Sequence, residues 1–303
     1  MAFFDLQVNG YGGTDFCSDH MQAEAFHSAC ESLAGDGIES FLATIITDSV
    51  DGLTGKLERM VKFRAEDPLI EKMVRGFHVE GPFISPLEGY VGAHPASEVR
   101  PANIEDAKRL IDAGGGLIRL ITLAPECDEG AATTRFLAEE GITVSAGHCD
   151  PSMQTLERAI DAGLSMVTHL GNGCPVTINR HENFIQRALS LSDRLWLCFI
   201  PDGAHLPFFA LHNYLKVVGL ERTIMTTDAI MAAGLGPGTY ELSGAPVEID
   251  DEGVARRPGS QNLAGSTIRG HEVARNLRDY LGMSEADVDL VFRANPLRAL
   301  RLD

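Results

Sequence analysis

Eight short apolar or β-branched runs recur along this chain, near residues 3–9, 38–46, 72–79, 117–123, 142–147, 164–169, 195–200 and 222–227. The stretches between several of them (21–34, 54–65, 103–113, 130–140, 152–162 and 207–218) carry apolar residues at helical spacing. Parallel neighbours in a sheet each need a crossover, so this alternation predicts an α/β fold of the TIM-like (β/α)8 barrel type. An open doubly wound sheet shares the alternation. It usually carries a G-x-G-x-x-G turn after its first strand, and Gly10-Tyr11-Gly12-Gly13 does not match that pattern. Helix starts are marked by Asn103 and by Asp150-Pro151-Ser152, read as an Asp cap with Pro in the first turn. Gly35, Gly114 and Gly141 mark helix ends. The 303 residues hold no repeat and no Pro-, Gly- and Ser-rich linker, and one barrel accommodates that length.

Charge and hydropathy exclude several function classes. With 25 Lys plus Arg against 43 Asp plus Glu, the net charge is −18, which repels a polyphosphate backbone, so no nucleic-acid partner is expected. No apolar run reaches about 18 residues, so no membrane-spanning helix is expected. Six scattered cysteines without a C-x-x-C pair suggest free thiols in a reducing cytoplasm.

The runs end in polar groups, and a barrel gathers its chemistry at the C-terminal ends of its strands. The third leads into His78-Val79-Glu80, the fifth into Gly147-His148, the sixth into Thr168-His169 and the eighth into Thr227-Asp228. One carboxylate and two imidazoles, Glu80, His148 and His169, match a catalytic metal site with three protein ligands and an open position. The set suits one divalent metal ion, Zn before Fe or Mn. Asp228 is placed to act as acid and base on water and a leaving nitrogen; a further ligand or a structural partner of a site histidine are the other readings. Asp202-Gly203 reads as a turn. Arg180 suits bidentate recognition of phosphate or carboxylate, or else pairs with Glu182 as a solvated loop residue.

The series Asp5-Leu6-Gln7-Val8-Asn9-Gly10, His78-Val79-Glu80-Gly81-Pro82-Phe83, Ala146-Gly147-His148, Thr168-His169-Leu170-Gly171-Asn172, Asp202-Gly203-Ala204-His205, Thr227-Asp228-Ala229 and Leu263-Ala264-Gly265-Ser266 resembles the N-acetylglucosamine-6-phosphate deacetylases of the amidohydrolase superfamily. The motifs keep the family's order across nearly the whole chain, and Asn295-Pro296-Leu297-Arg298-Ala299-Leu300 is similar to its closing helix. The resemblance implies one metal on Glu80, His148 and His169, with Asp228 as catalytic acid/base. It implies substrate binding by His94, Asn172, Arg180, His205 and Leu263, with Leu263 enclosing the acyl methyl. Arg180 and His205 would reach in from the partner subunit of a homodimer. Gln7 and Asn9 stand where many amidohydrolases carry an H-x-H pair, and amides are weaker metal ligands than imidazole.

Three departures accompany the resemblance. The family wraps its barrel with a small β-sandwich, whereas this chain begins at Phe3-Phe4-Asp5 and stops at Asp303, so a single barrel over 1–303 without a sandwich is expected. Glu88 stands where the family tends to place basic residues, and Gly171 and Gly173 flank Asn172. The expected activity is metal-dependent removal of an acetyl group from the nitrogen of an amino-sugar phosphate. A hydrolase of another N-acyl or cyclic amide, and a barrel that binds sugar phosphate without turnover, are the alternatives.

Overall fold

The computed structural model describes residues 2–242, 244–259 and 262–303. Eight parallel strands pair strictly in chain order: β1 (Phe3–Val8), β2 (Ile38–Ile46), β3 (Val74–Glu80), β4 (Ile118–Leu123), β5 (Thr143–Ala146), β6 (Leu164–Val167), β7 (Trp196–Phe199) and β8 (Thr223–Met225). Each coincides with an expected run to within two residues at its start and three at its end. The expected helices are also present, from Ala23–Gly35 to Phe208–Val218. One cap differs. Ser152, not Asp150, accepts the amide of Thr155 at the start of helix Met153–Asp161, because Asp150 is drawn into an ion pair with Arg187.

Inside the barrel the side chains form layers. Phe4, Leu6, Leu42, Leu120, Met166, Cys198 and Ile224 make an apolar plug closed by Ala299 and Leu300 of the terminal helix. Toward the C-terminal ends of the strands lies a buried polar belt. His78 Nε2 meets Thr122 Oγ1 at 2.8 Å, Thr122 meets Thr168 at 2.7 Å, and Thr168 meets Ser145 at 2.6 Å. Burial pushes His78 down to about 4, so it enters this belt uncharged. The opposite faces of the strands pack on the helices through residues such as Phe41, Phe77, Val79, Ile121 and Val144.

The seam between β1 and β8 closes differently. Among the described residues a single bridge, Val8 to Ala229, joins the two edges. Asp5 adds side-chain hydrogen bonds across the seam: its carboxylate accepts Thr226 Oγ1 at 2.6 Å and the Thr227 amide at 3.2 Å, and within β1 the Gln7 amide at 3.2 Å, while Thr227 Oγ1 donates to the Gln7 carbonyl at 3.5 Å. On its other side, against β2, the register of β1 shifts between Asp5 and Val8, and backbone donors unpaired by such an irregularity need another acceptor.

The sequence reading did not anticipate a three-stranded antiparallel sheet of β9 (Gly238–Leu242), β10 (Ala245–Ile249) and β11 (Ala255–Arg256). Leu242, Val247 and Ile249 bury its inner face against Ile230, Ala232 and Ala264 beside the mouth of the barrel.

Asp5 makes closure pH-dependent. Burial raises its pKa from an ordinary 3.8 to about 6. The unfolded chain therefore loses this proton first, and the cost of burying the charge grows from about pH 4 to full size above pH 6, at about 3 kcal/mol. Asp5→Asn keeps the main acceptor and avoids that cost. The unfolding free energy of the variant should gain about 3 kcal/mol on the wild type between pH 4 and pH 7 in urea titrations; a constant difference would show that Asp5 does not titrate in this range.

Candidate active site

Three site residues hold an uncommon backbone conformation. His148, His169 and Asp228 have φ of 52°, 30° and 51°, and the described residues contain only two further non-glycines with positive φ. Such strain persists where surrounding contacts over-determine it, typically at functional sites. The consequence here is that each side chain turns from the end of its strand into a common cavity of about 480 Å³.

Glu80 lies at the centre. Its Oε1 is 2.9 Å from His169 Nε2 and 3.2 Å from His148 Nε2, and its Oε2 accepts Gln7 Nε2 at 3.1 Å. The three ligand atoms of Glu80, His148 and His169 lie within 4.8 Å of one another, and all three residues are buried. His148 Nδ1 sits 2.7 Å from the Tyr90 carbonyl, which can only accept, so Nδ1 carries a proton. In the neutral ring, Nε2 then aims a lone pair at a carboxylate oxygen. That arrangement is repulsive until a cation stands between them, and the donor set fits a divalent metal. Burial pushes the Glu80 carboxyl up, but the imidazoles of His148 and His169 lying against it outweigh burial and hold it well below its ordinary range.

Asp228 faces the same cavity in a different environment. Burial, followed by the nearby Glu80 charge, raises it to about 6, and Asn9 Nδ2 donates to its Oδ1 at 2.6 Å. Gln7 and Asn9, the pair standing at the H-x-H positions, thus each serve one carboxylate of the site. His94 is buried beside His148, with ring centroids 4.3 Å apart, and burial pushes it down to about 3.

Asn172, His205 and Leu263 also line the cavity. His205, expected to arrive from a partner, lines the cavity of its own chain. Its Nδ1 meets Asp202 Oδ2 at 2.6 Å, while Asp202 Oδ1 accepts the amides of Ala204 and His205. Asp202 is therefore a turn residue that also orients a cavity side chain. Arg180 does not join the others. It is exposed outside the lining, and Glu182, its alternative partner, pairs with Arg187 instead. Glu88 is exposed and also lies outside the lining. Gly173 answers a steric demand: a Cβ there would lie 3.0 Å from His148 Nδ1.

No family model matches the chain. It is 32% identical over 301 residues to the N-acetylglucosamine-6-phosphate deacetylase of Bacillus subtilis (strain 168), spanning 99% of this chain and 74% of that protein. The chain belongs to the N-acetylglucosamine-6-phosphate deacetylase family. A second deacetylase, the N-acetylgalactosamine-6-phosphate deacetylase of Escherichia coli O157:H7, is 30% identical over 305 residues, spanning 100% of this chain and 78% of that protein. The crystal structure of the N-acetyl-D-glucosamine-6-phosphate deacetylase from Mycobacterium smegmatis superposes with a TM-score of 0.88 at 30% identity, covering 99% of this chain and 78% of that one. The (β/α)8 barrel of the deacetylase family is thus the fold of this chain.

For a deacetylase site of this geometry, Zn2+ at a hundredfold excess over its Kd should add about 2.7 kcal/mol to stability. That corresponds to a rise in Tm of about 5 °C. His148→Ala and His169→Ala should each abolish the rise and lower bound metal from about one per chain. A Tm indifferent to divalent metals in the wild type would remove these residues from the ligand set.

Proposed function

We propose that the chain is a metal-dependent deacetylase that hydrolyses the N-acetyl amide of an amino-sugar 6-phosphate to the free amine and acetate. The convergence of Glu80, His148 and His169 beside a separate buried carboxylate, Asp228, carries this reading. Glu80, His148 and His169 would hold one divalent ion, Zn before Fe or Mn, which supplies Lewis acidity to the amide carbonyl and acidifies water.

The residues of the chain do the rest. Asp228, raised toward neutrality by burial, accepts the proton of the attacking water and returns it to the amine nitrogen as the C–N bond breaks. Asn9 holds the carboxylate in place. His94 contacts the substrate beside the ligand cluster, and Leu263 encloses the acyl methyl. At the other end of the sugar, Asn172 and the His205–Asp202 pair receive the phosphate. Arg180, on an exposed loop, meets the phosphate of a neighbouring chain in a homodimer. A small, charged substrate of this kind suits a cytoplasmic enzyme. The two curated relatives differ in the sugar epimer their names carry, and both epimers are taken as substrates to be compared.

Acetate release from N-acetylglucosamine-6-phosphate, N-acetylgalactosamine-6-phosphate and the unphosphorylated sugars tests the proposal. Asp228→Asn should lower kcat by at least about a hundredfold while metal content stays near one per chain; loss of metal would make Asp228 a ligand instead. Arg180→Ala should raise KM for the phosphorylated sugar about tenfold or more and leave the unphosphorylated one unchanged. Failure to release acetate from any of these sugars by the metal-loaded wild type would redirect the site to another N-acyl substrate.

A further inference from the structure

Thr47 stands one residue beyond β2, buried, and has no place in the reading above. Its backbone amide donates to His94 Nδ1 at 3.4 Å, and its Oγ1 lies 2.8 Å from the same nitrogen. A backbone amide can only donate, so this long contact favours a lone pair on Nδ1, with the proton of the ring on Nε2. The hydroxyl lies 3.5 Å from the Glu80 carbonyl and 2.8 Å from Nδ1; donating to the nearer atom, it supplies the stronger part of the hold on the ring. In the opposite tautomer a protonated Nδ1 would face the Thr47 amide and deprive that buried group of its acceptor. Nε2 is directed at the site, 4.0 Å from Glu80 Oε2.

The contact is built from both sides. Thr47 Oγ1 occupies the space a side chain at position 81 would need: a Cβ on Gly81 would lie 2.1 Å from it. The next residue, Asp48, is tied to buried Lys56 and to the Ser49 amide, which fixes the end of β2. The loop carrying His94 is held by Arg257, whose Nη2 donates to the Ala93 carbonyl at 2.8 Å. We propose that Thr47 is a positioning residue that fixes His94 in its Nε2–H tautomer, so that the ring offers a hydrogen-bond donor to an acceptor of the bound amide substrate. The identity of that acceptor rests on the deacetylase reading; the tautomer does not.

The test uses the full chain, metal-loaded, as wild type, Thr47→Ser and Thr47→Val, with His94→Gln to assign the ring resonances. Long-range 1H–15N spectra without substrate should show His94 Nδ1 unprotonated and Nε2 protonated in the wild type and in T47S. In T47V the two nitrogens should move toward a tautomer mixture. In acetate release, T47V should lose about tenfold in kcat with KM changed less than about twofold, the size of one lost hydrogen bond, and T47S should restore it. A protonated Nδ1 in the wild type would overturn the proposal, and that spectrum decides even if T47V does not fold. Unchanged nitrogen shifts and unchanged kcat in T47V would also overturn it. The expected spectra together with undiminished acetate release by H94Q would support the hold of Thr47 on the ring and overturn the substrate role of His94.

Discussion

The barrel depends on how its first strand meets its last. Seven of its eight junctions are parallel ladders, four of them with register shifts, whereas among the described residues the seam beside β8 relies on one bridge, the Asp5 carboxylate and the Thr227 hydroxyl. Because the register of β1 breaks between Asp5 and Val8, the strand does more than close the sheet. Within the break Gln7 donates to Glu80, and just past it Asn9 donates to Asp228. The strand that seals the barrel therefore holds both carboxylates proposed to do its chemistry. A shift of β1 would move them together.

Those carboxylates are chemically distinct although they share a cavity. Glu80 lies against two imidazoles and accepts from Gln7, and its charge is favoured despite burial. Asp228 has a single side-chain donor in Asn9 and lies near the Glu80 charge, so its proton is held more tightly. Two acids whose environments separate their proton affinities divide naturally into a ligand and a proton carrier. Beneath them, the hydroxyl belt from Ser145 to His78 satisfies its members internally, which leaves the site donors facing the cavity rather than competing for partners below.

Much of this was legible in the sequence because each strand is a short apolar run that stops in a polar residue. Glu80, His148, His169 and Asp228 are visible for that reason, and the fold brings all four to one cavity. The sheet of β9 to β11 was not legible, since two of its five-residue strands bury only Leu242, Val247 and Ile249. The supporting residues were harder still. Asp202 resembled a plain turn, and its hold on His205 depends on a side-chain oxygen that local sequence does not place. Thr47 carries no motif: its contact with His94 joins residues 47 positions apart through a loop. Gly173 stood out only as a glycine flanking Asn172, and what it supplies is room for the His148 ring.

The cavity is uneven in what one chain provides. Apolar Ile46, Ile230, Leu242 and Leu263 line it together with Glu80, His148 and His169, the proposed ligand set. At the proposed phosphate end, His205 and Asn172 are present, but the one cation expected there, Arg180, is exposed and points to no acid of its own chain among the described residues. A protein with a net charge of −18 repels a phosphorylated sugar at long range, so attraction at that end has to be local. In the proposed site, the His205 imidazole oriented by Asp202 would supply part of it. A guanidinium from a second chain would supply the rest, and in that arrangement affinity for the phosphate and assembly of the dimer are linked, because the same loop serves both.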